Sequence, residues 1–109
     1  MNKQIDSNIR EIDTVNWHVV ERIMCALYEN GEQKKSQITS RSGINYVSCM
    51  RYLKWLETKM GFVEFELGTD LKQIKSIRLS SDGILFCKKR ILINENINSL
   101  ENLQYFLSI

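Results

Sequence analysis

Gly43-Ile44-Asn45-Tyr46-Val47-Ser48-Cys49-Met50-Arg51-Tyr52-Leu53-Lys54-Trp55-Leu56-Glu57-Thr58-Lys59 is the stretch on which the reading of this chain turns. Asn45 suits a helix N-cap. Stepping about 100° per residue from it places Tyr46, Cys49, Tyr52, Leu53, Leu56 and Met60 on one arc, with Val47, Arg51, Lys54 and Thr58 opposite. The spacing predicts a helix over 45–59 with an apolar inner face and a polar, cationic outer face. A small residue, an Arg and a Lys one turn apart suit a helix that lies against a phosphate backbone and probes base edges. A surface helix with a solvated basic face has the same pattern, so the neighbouring elements decide between the two.

Upstream, Trp17, Val20, Ile23, Met24 and Leu27 share one helical face between Thr14 and Asn30, with Asp13 or Thr14 as cap and Gly31 at the C-terminal stop. Lys34 to Arg41, with Ile38 inward and Ser36 available as cap, predicts a short second helix. Ser42-Gly43 then supplies the tight turn into the quoted stretch. Downstream the period changes. Phe62 to Glu66 alternates in part, Gly68 and Asp70 mark a turn, and Ile74 to Leu79 reads as a second strand, so a β-hairpin is predicted. Ser80-Ser81-Asp82 offers a cap for a further helix from near Gly83 or Ile84. Three helices, a hairpin and a fourth helix make a winged helix-turn-helix: mainly α with one small hairpin.

The segments Arg41-Ser42-Gly43-Ile44-Asn45-Tyr46, Tyr52-Leu53-Lys54-Trp55-Leu56, Met60-Gly61-Phe62-Val63 and Leu79-Ser80-Ser81-Asp82-Gly83 resemble those of the archaeal winged-helix DNA-binding proteins typified by the ten-kDa "a" chromatin protein of Sulfolobus. The resemblance runs over roughly residues 14–107 and implies double-stranded DNA as partner. It also implies a C-terminal helix that pairs with its twin in an antiparallel coiled coil. The chain departs from that pattern in its low net charge, in Trp55 where an aliphatic residue is usual, and in the Asn-rich residues 94–98. These departures count against chromatin packing more than against DNA binding.

Composition sets the bounds. With 109 residues, 43% hydrophobic and 26% charged, the chain is an ordinary globular domain able to bury about two-thirds of its unfolded surface. The net charge of +2 is unevenly spread: residues 31–60 hold six cations and two anions, residues 1–30 three and five. No apolar run approaches about 18 residues and no signal peptide is evident, so no membrane span is expected. Cys25, Cys49 and Cys87 are widely spaced and lack a CxxC pair, which points to a reducing cytoplasm and to neither zinc nor disulfides.

Phe86, Ile93, Leu100 and Leu107 recur every seven residues with Ile97 at a d-type position, the repeat of a supercoiling helix. A continuous helix from Ser81 to Ser108 reaches about 40 Å, longer than a winged-helix body covers on one side. The remainder then needs a second copy. Alternatively Asn94 to Asn98 breaks the helix, and residues 99–108 fold back with Ser99 as cap. The organisation expected is an N-terminal arm over 1–12, the winged domain over 13–82 and a dimerisation helix over 83–109.

Catalysis has little support. His18 and Cys25 lie two helical turns apart, about 10 Å, beyond hydrogen-bond reach. Cys49 and Cys87 read as small core residues, and no phosphate-cradling or metalloprotease motif is present. Tyr52 and Trp55 read as packing residues, the latter over the root of the hairpin or the fourth helix. Tyr46 lies toward the buried arc, although its hydroxyl at the first turn can reach a phosphate. The expected function is a homodimeric, non-enzymatic, double-stranded DNA-binding regulator of transcription without cofactor, metal or evident small-molecule ligand. Tyr46, Val47, Ser48, Arg51 and Lys54 are the expected major-groove residues, and Lys34, Lys35, Arg41, Lys72 and Lys75 the expected phosphate contacts. Phe86, Ile93, Ile97, Leu100 and Leu107 form the expected dimer seam. Lys88-Lys89-Arg90 fits a second phosphate contact, a solvated face or part of that seam. The alternative is a winged-helix protein-interaction module that never touches DNA, consistent with acidic Glu64 and Glu66 on the wing.

Overall fold

The computed structural model describes Ile12 and residues 14–90. Helix α1, Trp17–Asn30, starts at Asn16, whose side-chain oxygen accepts from the His18 N–H at 3.0 Å. That is later than Asp13 or Thr14, because Asn16 is the residue whose side chain meets a free amide. Gly31, at φ 75°, closes the helix through a bond from its N–H to the Leu27 carbonyl. Helix α2, Lys35–Ser42, already contains Ser36, so the expected cap there is not used. Instead the Gln37 side chain reaches back to accept from the Lys34 N–H at 2.9 Å.

Gly43 makes the turn into α3, Tyr46–Trp55, in the left-handed conformation at φ 70°. A side chain there would also stand 2.5 Å from the Arg22 guanidinium. Asn45 caps α3 as its sequence requires, accepting from the Ser48 N–H at 2.9 Å. After Trp55 the helix widens into a π-turn, Leu56–Met60, in which the Leu56 carbonyl receives both the Gly61 and the Phe62 N–H groups. The chain leaves at left-handed Gly61 and enters the hairpin.

Strands β1, Val63–Leu67, and β2, Ile74–Leu79, pair antiparallel with Val63 opposite Leu79 and Phe65 opposite Ile77, and an irregularity falls between Glu66 and Leu67. Gln33, between α1 and α2, lies beside β2 as a single-residue third partner, exchanging both backbone hydrogen bonds with Ile77 at 2.9 and 2.8 Å. Helix α4 occupies residues 81–90. Its cap is Ser80, whose hydroxyl accepts from the Gly83 N–H at 3.1 Å, so it begins two to three residues earlier than expected. The architecture is a winged helix-turn-helix, as the sequence led one to expect.

One core joins these elements: Val20, Ile23, Met24 and Leu27 of α1, Ile38 of α2, Cys49, Met50, Tyr52 and Leu53 of α3, Leu56, Val63, Ile77 and Cys87. Its margins correct two expectations. Trp17 and Tyr46 are each 51% exposed, because each is the first residue of its helix and the buried faces begin one turn later, at Val20 and Cys49. Trp55 is half-buried against the core, and its ring meets Trp17 and Tyr52 edge-on at 6.0 and 6.5 Å, closing α3 against the start of α1. The arm residues before Ile12 and the seam residues Ile93, Ile97, Leu100 and Leu107 lie outside the described residues.

Candidate nucleic-acid interface

Helix α3 divides by burial. Cys49, Met50, Tyr52 and Leu53 face the core, Val47 is 60% exposed, and Ser48, Arg51 and Lys54 are half-buried on the outer side and its flanks. What holds this helix in place is dense. Tyr52 accepts a hydrogen bond from the Asn16 N–H at 2.9 Å, and the two edge-on ring contacts of Trp55 tie its far end to α1. A shallow groove beside the helix is walled by Thr14, Asn16, Gly43, Asn45, Ser48 and Arg51. A helix fixed along one side, with Tyr46, Val47, Ser48, Arg51 and Lys54 on or beside its free surface, offers polar and apolar groups of the kind that read base edges.

The expected phosphate contacts are disposed unequally. Lys34 is exposed and Lys35 half-buried at the start of α2, and Lys72 is exposed in the hairpin turn. Arg41 is exposed, and its guanidinium donates to the Gln33 side-chain oxygen at 2.6 Å. Lys75 stands 3.5 Å from the Glu66 carboxylate.

Lys75 belongs to a wider network on the outer face of the hairpin. Arg78 lies 3.1 Å from Glu64, 3.6 Å from Glu66 and 3.9 Å from Glu32, and the Ser76 hydroxyl donates to Glu32. That hydroxyl first, and then the charges of Arg78 and Lys75, hold the Glu32 carboxyl below its ordinary range. Such half-exposed pairs contribute little to stability, because water and salt screen them. Their effect is on the field: three carboxylates offset two cations, so this face of the wing presents no positive surface. The sequence showed Glu64 and Glu66 but not Glu32, which arrives from the link between α1 and α2.

The thiols are not poised for chemistry. Cys25 is exposed, but partial burial and then the neighbouring Glu29 carboxylate, 3.8 Å away, raise its pKa. Burial raises the other two, Cys87 to about 11. All three remain protonated at neutral pH and are poor nucleophiles. His18 is exposed on α1. Among the described residues no group of three His, Cys, Asp or Glu side chains is placed to hold a metal ion, and no helix is long and apolar enough to cross a membrane.

Phe86, expected in a dimer seam, is half-buried, and its ring packs on Phe62 at 4.8 Å between centroids. Arg90 lies 6.0 Å over the same Phe86 ring and pairs with Glu21 of α1. The exposed apolar residues of α4 are Ile84 and Leu85.

No protein-family model matches the sequence, and no curated protein sequence matches it. Among solved structures, BpsR of Bordetella bronchiseptica, studied for the regulation of its DNA binding by 6-hydroxynicotinic acid, superposes with a TM-score of 0.66. The match covers 88% of this chain and 71% of that one at 12% identity, so what the two share is the fold.

Proposed function

We propose that this protein is a double-stranded DNA-binding regulator of transcription that reads the major groove with α3 and acts as a homodimer. The observation that carries the reading is the outer side of α3, where Val47, Ser48, Arg51 and Lys54 lie along a helix anchored on its other face by the helix-turn-helix core. The likeness in fold to BpsR, a protein whose DNA binding is regulated, supports it. The self-compensated wing moves the expected backbone contacts away from Lys75 and toward Lys34, Lys35 and Lys72. It also favours a regulator over a packing protein of the archaeal chromatin type, since nonspecific wrapping relies on uncompensated positive surface. The protein is then a binder and not an enzyme.

Titration of the full chain against duplex DNA at two salt concentrations tests this. Binding should weaken steeply as salt rises, with each lost phosphate contact lowering the slope of log K against log salt by about one unit. Arg51→Ala should cost about 1–3 kcal/mol on a selected site and much less on random duplex, whereas Lys35→Ala should weaken both alike. Equal losses for Arg51→Ala on both DNAs would reduce that residue to a phosphate contact. Absence of duplex binding would leave the protein-interaction reading, which the charge-compensated wing and the exposed Leu67 and Leu71 near its tip favour.

A further inference from the structure

Two of the large apolar side chains left in solvent, Tyr46 at 51% and Val47 at 60% exposure, are adjacent at the first turn of α3. Val47 is the odder of the two. β-Branched residues lose rotamer freedom in a helix, and an exposed helical position recovers nothing by packing, so a valine there is costlier than alanine. Its neighbours along the same surface, Ser48, Arg51 and Lys54, are all hydrogen-bonding groups. The one apolar patch therefore sits at the N-terminal end of the helix, the end that a helix-turn-helix directs toward base edges. In the major groove the single apolar feature of the bases is the C5-methyl group of thymine. We propose that Val47 is a specificity-determining residue that packs on a thymine methyl, so that the preferred site carries a thymine at one fixed position relative to the base read by Arg51. This inference rests on the DNA-binding reading above and adds to it the chemistry of one base.

The test separates the two. A duplex is first selected from a random pool by the full-length protein. Each thymine in it is then replaced singly by deoxyuridine, which lacks only the methyl group. For the wild type, one thymine per half-site should be sensitive, losing about fourfold in affinity, the equivalent of one buried methyl. For Val47→Ala the same replacement should cost less than about twofold, and Val47→Thr, which keeps one methyl, should restore sensitivity. Val47→Ala replaces an exposed residue with a better helix former, so its folding is not at risk. If no thymine is sensitive, or if Val47→Ala is as sensitive as the wild type, the thymine contact is overturned while DNA binding stands. If no duplex is selected at all, the DNA-binding reading falls and this one with it.

Discussion

At the scale of single residues, Gln33 joins three elements. It is 3% exposed, its amide donates to the carbonyls of Ala26 and Gly31 at 2.9 Å each, and its oxygen accepts from Arg41. Its backbone meanwhile pairs with Ile77 of β2. Gln33→Ala removes the acceptor of a guanidinium and the donor to a buried carbonyl together. A loss of about 1–2 kcal/mol is expected, the net worth of the hydrogen bonds removed, since the Ala26 carbonyl keeps the Asn30 amide and the exposed Arg41 head meets water. Urea denaturation measures it, and a loss under about 0.5 kcal/mol would mean that water takes over both roles. Arg41, released by the same substitution, becomes available for phosphate, so the variant is expected to keep its salt-dependent DNA binding despite lower stability.

At the scale of elements, the seating of α4 depends on the absence of one side chain. A Cβ on Gly83 would stand 2.1 Å from the Phe62 carbonyl oxygen and 3.0 Å from its carbon, backbone atoms that do not swing aside. The same carbonyl accepts from the Ser80 N–H, so the start of α4 and the entry to β1 are bolted at one point. Gly83→Ala sets two effects against each other: alanine is the better helix former by about 1 kcal/mol, and the clash costs about 1–3 kcal/mol. The clash should win. Net destabilisation in a denaturant titration, with Phe62 and Phe86 moved out of register, is the expected result; net stabilisation would show that α4 slides freely on the hairpin.

At the scale of the whole molecule, the question is whether the proposed DNA-binding unit is one copy of the chain or two. Phe86 packs on Phe62 within the chain, but the sevenfold spacing continues through Ile93, Leu100 and Leu107, with Ile97 between, and supports pairing of two copies through the C-terminal segment. Each such side chain withdrawn from water contributes about 1.5–3 kcal/mol before the entropy of association is subtracted. Wild type should therefore sediment as a dimer at micromolar concentration. Ile97→Asp with Leu100→Asp should give a folded monomer, because the core among the described residues already joins α1, α2, α3, the hairpin and α4, and its DNA affinity should fall by at least about tenfold as the second head is lost. A monomeric wild type would sink the coiled-coil proposal and leave the fold-back alternative.

What the sequence by itself determined is whatever repeats locally. The α1, α2 and α3 helices, the hairpin, the cap at Asn45 and the turn at Gly43 were legible because helix and strand periods and cap chemistry act over a few residues. Val47, Arg51 and Lys54 fell on the outer side of α3 for the same reason. Only the tertiary structure decided which distant groups meet: Glu32 with Arg78, Arg41 with Gln33, Trp55 with Trp17. It also decided where the core layer stops, exposing Trp17 and Tyr46, which periodicity had turned inward. A helical period specifies an angle around the axis but not how far along it a neighbour extends, and the partner of a charge on a strand depends on the loop that passes beside it. That is why α3 and its outer side could be found in the sequence, whereas the neutralised wing could not.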